Sequence, residues 1–229
     1  MNTHSATAIV ALLACLCLAA PAQPASKAED LTALMSQGGL QKIQVKGIEL
    51  AYAKPGATLA SYTQVKLDPV QVTFAKDWNP TPPGSPFPIT PAQRETIRKN
   101  VARIVYQAFT KELERGNGYP VVTKAGPHVL GIKVYVINVY VTVPGVLTPG
   151  MSQTFSVSSA GQGTLVLQLY DSQSFQILAR VMDAQAAQAA GQMLISNSVT
   201  NQAQGERIAY RWAQILRKAF DRAHDIGKS

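Results

Sequence analysis

Residues 129–143 read VLGIKVYVINVYVTV, the densest run of β-branched and aromatic side chains in the chain. Apolar residues fall on both parities, so the run predicts a long central strand buried in a sheet, with helices over at least one face. A strand of this kind needs neighbours, and the remaining patterns are read for what they supply.

Upstream, VKGIELAYAKPGATLASYTQVKLDPVQVTFAKDW alternates apolar and polar residues on both sides of a Pro-Gly break. It predicts a strand after Ser61 that buries Val65, Leu67, Val70, Val72 and Phe74. The parity shifts by one at Asp68-Pro69, and Pro69 has no N–H to donate, so a bulge or an edge position is expected there. Downstream, TLVLQLYD and FQILARVMDAQ, joined across Ser172-Gln173-Ser174, predict a hairpin with Leu165, Leu167 and Leu169 on one face. Residues 119–123 are a short strand candidate. Residues 144–162 are rich in Pro, Gly and Ser and read as an excursion that carries Gly161-Gln162-Gly163 as a loop.

Two helices complete the pattern. Six prolines between residues 79 and 93 make a stiff connector, whose end starts a helix well: Thr90 as N-cap, Pro91 at the first helical position and Gln93 closing a capping box. This helix buries Ile97, Val101, Ile104, Val105, Ala108, Phe109 and Leu113, exposes Arg94, Arg98, Lys99, Arg103 and Lys111, and stops at Arg115-Gly116. The second, over about residues 202–225, buries Ile208, Trp212, Ile215, Leu216, Ala219 and Phe220, with Arg207, Arg211, Arg217, Lys218 and Arg222 toward solvent. The expectation is an α/β (α+β) fold, with a mixed sheet of about four or five strands and two amphipathic helices on one face. The strand–helix–strand unit is right-handed if its strands are parallel neighbours.

The N-terminus sets the compartment. Residues 8–20 are uncharged and apolar, too short to span a bilayer but the right length for a secretory signal. Small residues at Ala20 and Ala22 mark a cleavage site before Gln23. The competing reading takes Leu12-Leu13-Ala14-Cys15 as a lipobox, with Cys15 lipidated. The expected organisation is a signal over 1–22, a leader over 23–44 with a short amphipathic stretch that docks or stays loose, and a single domain over 45–225. The protein is expected in the periplasm or secreted; under the second reading it is lipid-anchored to the outer membrane. The two cysteines, Cys15 and Cys17, both lie in the signal. A mature chain starting at Gln23 therefore contains no disulfide, thiolate metal site or cysteine nucleophile.

All 21 Lys and Arg lie beyond residue 26, against 13 Asp and Glu, so the mature chain keeps its formal charge of +8. For an exported protein this favours an anionic envelope component or an envelope protein as partner, and contact with the membrane only through lipidation. Aromatic residues do not interleave with the charges, which argues against nucleic acid.

Catalytic and metal signals are thin. His128 and His224 share no ligand spacing; Glu112 and Glu114 stand two apart on a helix and face different ways; Asp68 before Pro69 reads as a turn or bulge organiser; no G-x-S-x-G elbow surrounds Ser156, Ser158 or Ser159. No catalytic, cofactor-binding or metal residue is assigned, and no cofactor is expected.

Residues 47–74, then YPVV at 119–122, the long strand, YDSQSFQILARVMD at 170–183 and the terminal WAQILRKAF together resemble the bacterial family DUF3313, collinearly over about residues 45–225. The most specific piece is Tyr62, Asp68, Pro69 and Val70, followed by the turn at Asp171. The resemblance implies an exported, often lipoprotein-like domain without an established activity. The leading expectation is a non-catalytic binding or accessory module of the cell envelope. A hydrolase or transferase acting on an envelope polymer would need Asp68 or Asp171 joined to a second titratable group in a deep pocket. A lipid or glycolipid carrier would need an apolar cavity between sheet and helices.

Overall fold

The apolar run at 129–143 is the strand around which the sheet is assembled. The computed structural model describes residues 27–82, 85–141, 156–157, 161–186, 194–195 and 198–224. Cys15, Ala22 and Gln23 lie outside these, as do most of residues 142–160. In chain order the elements are α1 (Lys27–Ser36), β1 (Gln41–Ile43), β2 (Leu50–Ala53), β3 (Gln64–Leu67), β4 (Gln71–Phe74), α2 (Pro91–Glu114), β5 (Val129–Val141), β6 (Ser156–Val157), β7 (Gly161–Asp171), β8 (Ile177–Ala186), β9 (Leu194–Ile195) and α3 (Ser198–Ala223).

The main sheet has seven strands in the order β1-β2-β8-β7-β5-β3, with β4 also on β5. It is mixed: β3 and β4 run parallel to β5, while β7, β8, β2 and β1 alternate antiparallel. The α+β class is as expected; the strand count is higher. The segment read as one bent strand is two, β3 and β4, laid end to end along the same edge of β5 and separated by Asp68-Pro69-Val70. The short strands β1 and β2 add the other edge. Gly161-Gln162-Gly163, read as loop, opens β7, because β7 keeps pairing with β5 as far as Tyr140 and Val141. Residues 119–123 contribute a single parallel bridge, Val65 to Val121.

One face of the sheet carries the main core. Val65, Leu67, Leu130, Ile132, Val134, Val136, Leu165, Leu167 and Leu169 are buried beneath Val105, Phe109 and Leu113 of α2 and Trp212, Leu216 and Phe220 of α3. The parity shift at Asp68-Pro69 lets Val72 rejoin this face. The capping box of α2 forms as expected: Thr90 Oγ1 accepts from the Gln93 amide at 3.2 Å and Gln93 Oε1 accepts from the Thr90 amide at 2.7 Å.

The opposite face is partly covered by a third helix. Although α1 is short, Met35 and Leu40 are buried with Tyr52 and Met182, so the leader's amphipathic stretch docks. Arg180 Nη1 reaches up from β8 to the carbonyls of Leu34 at 3.0 Å and Gln37 at 2.7 Å, satisfying the orphan acceptors at the end of α1.

Candidate functional site

Alternation along β3, β5 and β7 decides which side chains reach the face that α1 leaves open. Val65 and Leu67 point into the core and Lys66 points away; Ile132 and Val134 point in and Lys133 and Tyr135 away; Leu169 points in and Gln168 and Tyr170 away. Tyr170 pairs with Gly131, where a Cβ would collide with the phenol ring, so glycine is what lets this ring lie flat on the sheet.

Around that ring the polar groups close into one network. Tyr170 donates to Asp68 Oδ2 at 2.7 Å, Lys66 Nζ pairs with Asp68 Oδ1, and Lys66 Nζ lies 3.4 Å from the Tyr170 oxygen. Lys133 Nζ sits 5.5 Å from the ring centroid. The exposed Phe175 stacks on the ring at 5.9 Å from a left-handed backbone, φ +58. One residue further, Asp171 Oδ2 accepts from Tyr62 at 3.1 Å, while Oδ1 accepts from the Gln173 and Ser174 amides and the Ser174 hydroxyl. Asp171 is thus the organiser of the β7–β8 turn.

The electrostatics follow from these contacts. Burial, reinforced by Asp171, pushes the Tyr62 phenol up to about 12. Bonds from the Ser174 backbone and hydroxyl hold Asp171 below the ordinary carboxylate value. The bond to Asp68 holds Lys66 above its ordinary value against the pull of burial, and burial followed by Asp68 raises Tyr170. Beside the network, where β3 gives way to β4, lies an open notch of about 270 Å³ walled by Pro69, Val70 and Tyr135 and edged by Asp68, Gln71 and Lys133.

A second polar cluster joins the two long helices. Arg217 of α3, read from the sequence as solvent-facing, is 9 % exposed. Its Nη1 donates to the carbonyls of Glu112, Leu113 and Arg115 at 3.3, 3.1 and 3.0 Å, and its Nε donates to Asp221 at 2.7 Å. The solvent-facing reading of this residue is therefore corrected: the helical period of α3 does not show that the α2 terminus lies within reach of the guanidinium. Asp221 also accepts from Tyr119 at 3.1 Å, and burial followed by this bond pushes that phenol up to about 12. His224 lies tilted against Tyr119, ring centroids 5.3 Å apart, and donates from Nδ1 to the Phe220 carbonyl at 2.9 Å.

The other sequence candidates are dispersed. Glu112 is buried and pairs with Arg115 at 3.0 Å, while Glu114 accepts from the Val121 amide at 3.1 Å. His128 is exposed and bonds the Ser61 carbonyl at 2.8 Å, whereas His224 bonds the Phe220 carbonyl. Arg94, expected in solvent, lies over Trp78 at 4.8 Å. A groove of about 570 Å³ runs between α2 and α3, with Lys111 over the Tyr210 ring at 5.7 Å. Among the described residues no group of three or more His, Cys, Asp or Glu is placed to hold a metal, and no helix is long and apolar enough to cross a membrane. Sequence reasoning singled out Asp68 and Asp171; it passed over Lys66, Lys133 and Tyr170, whose outward parity was readable but whose convergence was not.

A family model described as a protein of unknown function, DUF3313, matches residues 33–216, and the chain belongs to that family. No curated protein matches it. Among solved structures, a variant PelC dodecamer from Paraburkholderia phytofirmans is similar at 8 % identity, covering 73 % of this chain and 97 % of that one, with a TM-score of 0.37. Protein XCC0632 from Xanthomonas campestris shares 10 % identity over 77 % of this chain and 94 % of that one, TM-score 0.36. A hemagglutinin homolog from Helicobacter pylori shares 14 % over 80 % and 95 %, TM-score 0.36. Likenesses this distant carry no functional argument.

Proposed function

We propose that this DUF3313 protein is an exported, non-catalytic binding module of the cell envelope that engages an anionic envelope component through its basic surface. The observation that carries the reading is that the polar groups of the two clusters are committed to one another, Tyr62 to Asp171, Lys66 and Tyr170 to Asp68, and Tyr119 and Arg217 to Asp221. Tyr62 and Tyr119 are pushed up to about 12, Tyr170 and Lys66 are raised, and Asp171 is lowered. Each shift deepens the protonation state the group already has near neutral pH. A general acid or base is tuned the other way, toward the pH at which it works. The clusters therefore serve geometry, leaving the excess positive charge as the functional asset. Export is supported by the signal-like residues 8–20, and the absence of charge before residue 27 keeps the whole +8 on the mature chain.

The test is sedimentation of the purified chain from Gln23 with an envelope fraction over a salt series. The reading predicts co-sedimentation at low salt that is lost as ionic strength rises, because exposed charges are screened within a Debye length of about 8 Å at physiological salt. Failure to sediment at low salt contradicts it.

A hydrolase or transferase is the second reading, favoured by the adjacency of Asp68, which edges the notch, to Lys66 and Tyr170. Against it, Lys66 and Tyr170 are both raised where a base or nucleophile requires lowering.

A further inference from the structure

We infer that the notch at the β3–β4 break is a binding site for a small monocarboxylate with an apolar body, held by Lys133. Lys133 is carried to the open face by the central strand and is half-buried there, yet it has no carboxylate partner among the described residues; its one contact is the Tyr170 ring at 5.5 Å. Three other cations of the fold are answered by fixed acceptors. Lys66 has Asp68, Arg217 has Asp221, and Arg180 has the carbonyls at the end of α1. Desolvating an ammonium without an anion is unfavourable, and an aromatic face offsets only part of it.

The geometry around Lys133 defines what completes it. Pro69, Val70 and the Tyr135 ring give apolar walls, and Gln71 offers an amide at the rim. At about 270 Å³ the space is below that of drug-sized sites, so the occupant is small. Both Asp68 oxygens are committed to Lys66 and Tyr170, so Asp68 does not answer Lys133, whose single charge matches one carboxylate. One carboxylate directed at Lys133, with the body against Tyr135, is the arrangement that fits.

This deepens the binding-module reading by naming a site, and the two fail separately. Benzoate, acetate and benzamide are titrated into the folded chain and followed by amide shifts of Gln71, Lys133 and Tyr135, with Lys133→Met as the variant. Benzoate should bind saturably, with acetate (charge without a ring) and benzamide (ring without a charge) each weaker by about tenfold or more, and Lys133→Met should lose at least about tenfold in benzoate affinity while unfolding at an unchanged temperature. Absence of saturable shifts at the notch, equal binding of benzamide, or unchanged affinity in Lys133→Met overturns the site. Sedimentation with envelope at low salt by the wild-type chain, in the same preparations, would then leave the module reading standing without this notch.

Discussion

Tyr62 donates to Asp171 across 3.1 Å, joining the segment that leads into β3 to the turn that ends β7. The neighbouring residue, Tyr170, repeats the connection by donating to Asp68 at 2.7 Å. Consecutive hairpin residues thus grip both ends of β3, on opposite sides of the intervening β5. Tyr62→Phe should cost about 1 kcal/mol, the net worth of one hydrogen bond. Asp171→Ala should cost about 2 kcal/mol, because the Gln173 and Ser174 donors lose their acceptor as well. A double-mutant cycle by urea unfolding measures the coupling; additivity of the two would remove the link.

The same pair predicts how stability follows pH. The Tyr62 phenol is raised from 10.0 to about 12 in the folded chain, so its contribution is complete below pH 10 and is lost as pH climbs toward 12. Asp171 is lowered from 3.8, so its contribution is present above that value and lost as pH falls through the folded value. Tyr62→Phe should flatten the alkaline arm of stability against pH, and Asp171→Asn the acid arm. Thermal melts across the two ranges test this, and unchanged arms in the variants would refute it.

Arg217 closes the end of α2 with three carbonyl contacts and is held by Asp221. Arg217→Met should destabilise by about 3 kcal/mol, since it strands both the carbonyls and a partly buried carboxylate. Arg222→Met, on the exposed side of the same helix, should stay within about 0.5 kcal/mol. Equal losses in the two would show that Arg217 is an ordinary surface residue.

Phe175 occupies a left-handed turn position, φ +58, with 69 % of its surface exposed. Phe175→Gly should raise stability by about 1 kcal/mol by releasing the side chain's steric penalty there. A fall in melting temperature would mean that its stacking on Tyr170 outweighs the backbone strain.

Gly131→Ala places a methyl group into the Tyr170 ring. The ring must tilt off the sheet and release Asp68, at a cost of about 2 kcal/mol by analogy with overpacked cores. Ring-proton shifts of Tyr170 report the displacement, and a variant with native shifts and stability would place the ring elsewhere.

Much of the scaffold is legible in local pattern. The capping box at Thr90, the two-faced apolar run of β5, the hairpin across Ser172-Gln173-Ser174 and the parity change at Asp68-Pro69 all arise from interactions within a few residues, and all appear in the structure. The docking of α1 rests on two anchors, Met35 and Leu40, too few to define a period. Lys66, Lys133 and Tyr170 were readable as outward side chains, but only the register of β3, β5 and β7 brings them together with Asp68. Arg217 shows the same limit: a helix boundary residue becomes a cap because another helix ends beside it.

The proposed function requires a protein exported to the envelope, and the most direct test is the intact mass of the chain recovered from the envelope of its native host, with the N-terminal peptide fragmented. The predicted result is a chain beginning at Gln23 with no cysteine; a chain beginning at an acylated Cys15 would keep the envelope location and add a membrane tether. A chain that retains Met1 and is recovered from the cytoplasm would contradict the proposed envelope function.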